Sequence, residues 1–285
     1  MSPVPFGSRL GVVTTARGPL CVGIDPHPGL LEAWGLPDDP SGLERFGRGL
    51  VAALGDAVAV FKPQSAFFER HGSRGVAVLE QVIADVRDAG ALVLLDVKRG
   101  DIGSTVQAYA DAYVRTGSPL CADAVTASPY LGFESLRPLL DTAAAHGNGV
   151  FVLALTSNPE GPEVQHARGA DGRTVAGVVL DHVRAANAAS APEGSVGVVV
   201  GATVGSVAGD VDLGAIDLDV DGPILAPGIG AQGGTAADLE RVFGPALPHV
   251  LPAVSREILR AGPEPDSLRE ATFRTLDAVR GVLVR

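Results

Sequence analysis

The sequence predicts an α/β fold, a single (β/α)8 TIM barrel spanning residues 1–285. Three observations carry this. Eight short apolar runs recur along the chain, each followed by a helix-like or polar segment. Polar residues gather at the C-terminal ends of those runs, where a barrel brings them round one mouth. A glycine-rich turn follows the seventh run, whereas an open doubly wound sheet carries its glycine-rich turn after the first strand. Barrels of this length are routinely one domain, and the chain shows no internal repeat and no interdomain linker.

The first strand is expected at Leu20–Ile24, ending at Asp25 with Pro26-His27-Pro28 behind it, and a helix at Ser41–Leu54. The second strand, Ala57–Lys62, exits through Pro63-Gln64-Ser65. The helix Arg74–Asp88 carries Val76, Val78, Leu79, Val82, Ile83 and Val86 as an apolar face. Leu92–Leu95 is uninterrupted and apolar, the mark of a strand buried on both faces. It exits through Asp96-Val97-Lys98-Arg99-Gly100-Asp101 into a helix at Ser104–Arg115. The fourth strand, Ala122–Thr126, leads to a helix ending near His146. The fifth, Gly149–Leu155, ends in Thr156-Ser157-Asn158-Pro159, with a helix at Thr174–Ala189. Val196–Val200 is the sixth, and the Gly- and Asp-rich stretch 204–220 after it resists assignment. The seventh, Pro223–Ala226, opens into Pro227–Gly234. The eighth, His249–Val254, exits at Ser255-Arg256 before a last helix, Asp266–Val284. No element is assigned ahead of the first strand.

Bulk properties exclude several classes. The net charge of -11 argues against nucleic-acid and acidic-membrane partners. No run approaches the ~18 apolar residues of a membrane span, and the first ten residues lack a signal-peptide core. Cys21 and Cys121 lie in or beside apolar runs without metal-ligand spacing, which fits buried free thiols and a cytoplasmic location. The six histidines form no metal-binding pattern, so no metal is expected, and no G-x-S-x-G elbow supports a hydrolase.

The exit of the third strand carries the chemistry. Asp96 and Lys98 are two apart, so strand alternation sends both side chains from one face. A carboxylate and an ammonium at the end of a buried strand are expensive to build. The 22 basic residues divide into 20 Arg and two Lys, and both lysines, Lys62 and Lys98, end apolar runs. An ammonium that can donate its proton is a requirement that Arg cannot meet. The plain alternative is that Lys98 snorkels from its strand end and merely pairs with Asp96. Asp101 is positioned to cap the helix that follows. The turn Pro227–Gly234, with Gly228, Gly230 and Gly233 in G-x-G-x-x-G spacing, sits where such barrels bind phosphate. Gln232 offers an amide donor there, and Arg256 a forked guanidinium.

The run Asp96-Val97-Lys98-Arg99-Gly100-Asp101-Ile102-Gly103-Ser104-Thr105 resembles the D-x-K-x-x-D signature of the orotidine 5'-phosphate decarboxylase family. Asp25, Phe61-Lys62-Pro63-Gln64, Thr156-Ser157-Asn158-Pro159, Pro227–Gly234 and Arg256 follow in that family's order, and Lys62–Glu69 is similar to its longer bacterial branch, type 2. Sugar-phosphate relatives share D-x-K-x-x-D but place an acidic, metal-binding residue where this chain has Lys62. The resemblance implies a cofactor-free lyase that converts orotidine 5'-monophosphate (OMP) to UMP and CO2 in pyrimidine biosynthesis. It implies Lys98 as proton donor to C6, with Asp96 beside the departing carboxylate and Lys62 and Asp25 on the ribose and in the charge network. Ser157 would bind the pyrimidine edge, and Pro227, Gln232, Gly233 and Arg256 the phosphate end. Asp101 and Thr105 would reach the neighbouring subunit's site, which implies a homodimer with shared sites. The competing readings are a Mg-dependent sugar-phosphate enzyme and a non-catalytic phosphate-binding barrel.

Overall fold

The computed structural model describes residues 2–190, 193–204, 216–230 and 233–283. Gln232 and most of the unassigned stretch 204–220 lie outside them. The eight strands are β1 (Cys21–Ile24), β2 (Val60–Pro63), β3 (Leu92–Arg99), β4 (Ala124–Ala127), β5 (Gly149–Leu155), β6 (Val196–Val200), β7 (Ile224–Pro227) and β8 (Val250–Val254). Each pairs in parallel with the next, and β1 pairs with β8, so the sheet closes into a barrel in sequence order.

Twelve helices surround or connect the strands of the described chain. Before β1 lies α1 (Phe6–Arg17), and after it α2 (Pro28–Ala33) and α3 (Pro40–Leu54). Next come α4 (Ser65–Glu69), α5 (Gly72–Asp88), α6 (Gly103–Tyr113), α7 (Arg137–Ala145), α8 (Gly161–Gln165) and α9 (Val175–Asn187). The last three are α10 (Ala236–Phe243), α11 (Arg256–Leu259) and α12 (Pro265–Leu283). Local chemistry accounts for several starts. Asp39 caps α3 by accepting from the Ser41 and Gly42 amides, Thr174 caps α9, and Thr235 with Asp238 forms a reciprocal capping box on α10.

Strand parity divides the apolar residues between two cores. Outward positions such as Val22, Ile24, Val93, Leu95 and Val97 pack against the helices. Inward positions fill the barrel: Cys21, Val60, Leu92, Leu94, Ala124, Phe151, Val199, Leu225 and Leu251.

The helix α1, to which no sequence signal pointed, belongs to this inner core. It closes the N-terminal end of the barrel with Phe6 and Leu10, and Phe6 meets the Phe151 ring edge-on at 5.9 Å. Gly149 stands where a side chain would strike Phe6, since a Cβ there would lie 2.5 Å from its ring. Two arginines fasten α1. Arg9 pairs with Asp123 and donates to the Gly147 carbonyl at 2.8 Å, and Arg17 donates to the carbonyls of Gly55, Val58 and Ala89.

Candidate active site

The inward rows that are apolar at the bottom turn polar at the top. On β1 the row runs Cys21, Gly23, Asp25; on β2 Val60, Lys62, Gln64; on β3 Leu92, Leu94, Asp96; on β8 Leu251, Ala253, Ser255. The upper members line a cavity of about 350 Å³ at the C-terminal mouth. His27, Phe67, Pro227, Gly228, Ile229 and Arg256 complete its wall. A larger groove of about 900 Å³ runs between α3 and α5. It is a valley of charged side chains on the helical outside that includes none of the strand-exit groups, and it offers no comparable convergence.

Asp96 is the hub of the cavity floor. Its Oδ2 accepts from Lys62 Nζ at 2.9 Å, and its Oδ1 from Lys98 Nζ at 2.6 Å and from the Thr126 hydroxyl at 2.8 Å. The Thr126 oxygen in turn accepts the backbone N–H groups of Val97 and Lys98, at 3.1 and 2.9 Å. Those bonds hold a backbone that simple alternation does not describe. Lys98 has φ of 44°, a left-handed conformation that costs a side-chain-bearing residue energy, and the β3–β4 register shifts between Leu95 and Arg99. Asp96 and Lys98 do meet, as their spacing predicts, but through this kink. Consequently Lys98 reaches Asp96 from the solvent side, its side chain 45% exposed against 11% for Lys62 and 8% for Asp96.

The electrostatics are those of a buried array held ionised by its own members. Burial alone would push the Asp96 carboxyl upward, but the ammonium groups of Lys62 and Lys98 outweigh it and hold it well below the usual carboxylate range. Burial would likewise pull Lys62 down. The carboxylates of Asp96 and Asp25 prevail and keep it above the ordinary lysine range. Beneath the array, burial pushes the Cys21 thiol up to about 12, with Lys62 opposing.

Arg99 leaves the opposite face of β3. It pairs with Glu69 of α4 at 2.7 Å and lies over the rings of Tyr109 and Tyr113 of α6, at 5.6 and 5.8 Å. The exits of β2 and β3 are thus joined twice, by Lys62–Asp96 inside the barrel and by Glu69–Arg99 outside it.

The other expected residues fall as follows. Asp25 lines the cavity, and its Oδ1 is buried without a hydrogen-bond partner. Arg256 lines it too, with no ion pair to any described residue, and so does Pro227. Gly233 lies outside the lining, and its amide is spent on the Gly230 carbonyl at 2.7 Å; of that turn's described residues, Pro227, Gly228 and Ile229 face the cavity. Ser157 stands half-buried past the end of β5, beside Gly201. Asp101 does not cap α6. Its carboxylate accepts from the adjacent Ile102 N–H at 2.8 Å, Ile102 occupies the capping position, and no side chain caps that helix. Asp101 and Thr105 lie at the rim, Thr105 exposed. Thr126, Gln64, Ser255, His27 and Phe67 were not singled out from the sequence. Parity marks the first three as inward continuations of their strands. The His27–Phe67 ring contact, at 4.2 Å, joins the residue before α2 to α4 and leaves no trace in spacing. Among the described residues, no three His, Cys, Asp or Glu side chains are placed to hold a metal ion.

A buried lysine–aspartate–lysine array at the mouth of a closed parallel barrel is a narrow signature, and the comparisons agree with it. Residues 18–271 match the family described as orotidine 5'-phosphate decarboxylase / HUMPS. The chain belongs to this family. It is 64% identical over 278 residues to an orotidine 5'-phosphate decarboxylase of Salinispora arenicola, covering 98% of each chain. It is 59% identical to that of Streptomyces coelicolor over 276 residues, 97% of each. The crystal structure of a protein described as an orotidine 5'-phosphate decarboxylase from Streptomyces avermitilis superposes with a TM-score of 0.95 at 59% identity, covering 100% of this chain and 98% of that one.

Proposed function

We propose that this protein is an orotidine 5'-phosphate decarboxylase, a carboxy-lyase that converts OMP to UMP and CO2 without metal or cofactor, as one domain spanning residues 1–285. The observation that carries this reading is the Lys62–Asp96–Lys98 array: Lys62 and Asp96 lie on the floor of a cavity whose wall also holds Asp25 and Arg256, Lys98 bonds Asp96 from outside that lining, and Arg256 has no ion pair with a described residue. Loss of CO2 from C6 of the pyrimidine leaves a carbanion that the ring delocalises poorly. A fixed ammonium at that carbon stabilises charge where it develops. Lys98 is the more exposed of the two lysines, and in this reading it is the one that meets C6 and delivers its proton there. Asp96 fixes Lys98 and is ionised, so a substrate carboxylate beside it is repelled in the ground state and relieved as CO2 leaves. Lys62 keeps Asp96 ionised from below. Arg256 and the Gly228-Ile229 turn grip the phosphate, Asp25 and Lys62 the ribose, Ser157 the pyrimidine edge.

The family also includes metal-dependent sugar-phosphate enzymes. Lys62 disfavours that chemistry here, because its ammonium repels a divalent cation from the place where an acidic ligand would be needed.

In the same reading the active unit is a homodimer with shared sites, located in the cytoplasm. Ile102, Tyr130 and Leu131 are 62%, 77% and 53% exposed, and the backbones that bear them touch where Ser128 N–H meets the Arg99 carbonyl at 2.9 Å. This apolar rim beside Asp101 and Thr105 is a surface for a second copy. No helix of the described chain is long and apolar enough to cross a membrane.

The test is incubation of EDTA-treated protein with OMP while its ultraviolet absorbance is followed. Turnover supports the reading, and activity that appears only with added Mg2+ favours the sugar-phosphate alternative. Mixing inactive Lys98→Ala and Asp101→Ala subunits tests the dimer. A hybrid holds one site with both residues intact and recovers activity. No recovery, with hybrids seen by native mass spectrometry, means that Asp101 serves its own subunit.

A further inference from the structure

Four side-chain polar atoms of the described residues are buried without a hydrogen-bond partner, and two of them, Asp25 Oδ1 and Ser255 Oγ, belong to residues lining the cavity. An orphaned buried polar atom costs free energy unless something else satisfies it. Ser255 has the more unusual history. It occupies the capping position of α11, where a serine hydroxyl ordinarily accepts from a helix amide, yet its side chain makes no capping bond. The hydroxyl has been turned away from the helix and into the barrel.

Register explains where it points. Val22 pairs with Val254 and Gly23 with Lys62, so Ser255, Gly23 and Lys62 form a row across β8, β1 and β2. Gly23 supplies the room. A Cβ at that position would lie 2.8 Å from Ser255 Cβ, 3.1 Å from Ser255 Oγ and 2.9 Å from Asp25 Oδ2. Any larger residue on β1 would displace the two polar groups that converge there.

We propose that Ser255 is a substrate-binding residue whose hydroxyl, with the Asp25 carboxylate, clasps one hydroxyl of the nucleotide's ribose. This rests on the reading of the site as one for a pyrimidine ribonucleotide. The chemistry selects the sugar. An ionised carboxylate only accepts, whereas a serine hydroxyl both donates and accepts, so a group that donates to Asp25 and accepts from Ser255 uses the capacity of both. A ribose hydroxyl does both. A phosphate oxygen only accepts and is repelled by Asp25. Ser255 also precedes Arg256, the guanidinium free for the phosphate, and the sugar is the part of a nucleotide bonded to its phosphate.

The experiment is calorimetric titration of wild type and Ser255→Ala with three product-like probes: UMP, 2'-deoxy-UMP and 3'-deoxy-UMP. Ser255→Ala is expected to weaken UMP roughly three- to tenfold, the size of one neutral hydrogen bond. One deoxy probe should bind both proteins equally, because it lacks the hydroxyl that Ser255 holds, while the other weakens as UMP does. This pattern is internal to each protein, so a general disturbance of the fold cannot mimic it. Unchanged UMP affinity would overturn the inference, leaving Ser255 bonded to water alone. Equal weakening of all three probes would also overturn it and move the contact to base or phosphate. A wild type that neither turns over OMP nor binds UMP would overturn the parent reading and the inference together; normal wild-type turnover with a flat Ser255→Ala profile overturns the inference only.

Discussion

Replacing Asp96 with asparagine keeps the shape of the hub and removes its charge, leaving two ammonium groups facing each other across an amide. Breaking a buried ion pair costs about 3–5 kcal/mol, mostly because the surviving charge stays buried. The Lys62 side meets that condition, with an 11% exposed side chain. The Lys98 side does not, being 45% exposed, and its share is about 1 kcal/mol or less. Asp25 remains near Lys62 and offsets part of the loss. Asp96→Asn is therefore expected to destabilise by about 3–4 kcal/mol. Lys62→Met should cost less, about 2 kcal/mol, since Asp96 keeps Lys98 and Thr126 as partners. The double variant no longer carries the stranded Lys62 charge, so it should cost about 3 kcal/mol, well short of the sum, with a coupling of roughly 2–3 kcal/mol. Urea unfolding of the four proteins, followed by circular dichroism, measures the cycle. Additivity within about 0.5 kcal/mol would refute the reasoning, because two groups that hold each other ionised cannot act independently.

Three further outcomes follow from the same geometry. Lys98→Arg should keep the fold and lose turnover by many orders of magnitude, because a guanidinium retains the charge but cannot donate a proton to carbon; a variant within about tenfold of wild type, ~1.4 kcal/mol of barrier, would reduce Lys98 to a counter-charge. Arg256→Ala should lose roughly 2–5 kcal/mol in kcat/KM through the phosphate; if phosphite stimulates decarboxylation of phosphate-free orotidine equally in wild type and variant, another group holds the phosphate. The array also sets a pH dependence. The carboxyl of Asp96 is depressed, so its contribution to stability is complete above about pH 4 and drains as pH falls toward its folded value; that of Lys62, whose ammonium is raised, is complete below about pH 10 and lost only as pH climbs higher. The stability gap between wild type and Asp96→Asn should therefore narrow by about 1.4 kcal/mol per pH unit below pH 4, and a gap unchanged at pH 2 would count against an ionised Asp96.

The strands and the charged centre were legible because both write themselves locally. An apolar run ending in Asp25, Lys62 or Asp96 is visible in a few residues, and the scarcity of lysine singled out the two ammonium groups before any fold was known. What escaped was whatever depends on depth or distance. The helix α1 buries only Phe6 and Leu10, too few apolar residues to mark an amphipathic helix in a stretch rich in glycine and small polar residues. Thr126 looks like the polar end of an apolar run; its role needs the register that sets β4 beside the kink at Lys98. The expected cap by Asp101 failed because the chain turns at the first residue of the helix. Gly103, where α6 begins, has φ of 55°, Ile102 takes the capping position, and Asp101 turns back on the next amide.

The bottom of the barrel and its mouth form one electrostatic device. A Lys–Asp–Lys array in water would be a loose set of screened charges. Here the floor beneath it is dry, because α1 stoppers the far end with Phe6 and the inward row below Lys62 and Asp96 is wholly apolar. The same burial pushes the Cys21 thiol, one inward step below Gly23, up to about 12. Low polarity below and solvent above give each charge a direction. Lys62, buried, faces Asp96 and Asp25 from the cavity floor, while Lys98, anchored by Asp96 and kinked outward above Thr126, keeps its side chain 45% exposed. The asymmetry between two chemically identical lysines arises from one inward layer of strand height and one left-handed residue. It is what separates the lysine that holds Asp96 from below from the lysine proposed to give up a proton.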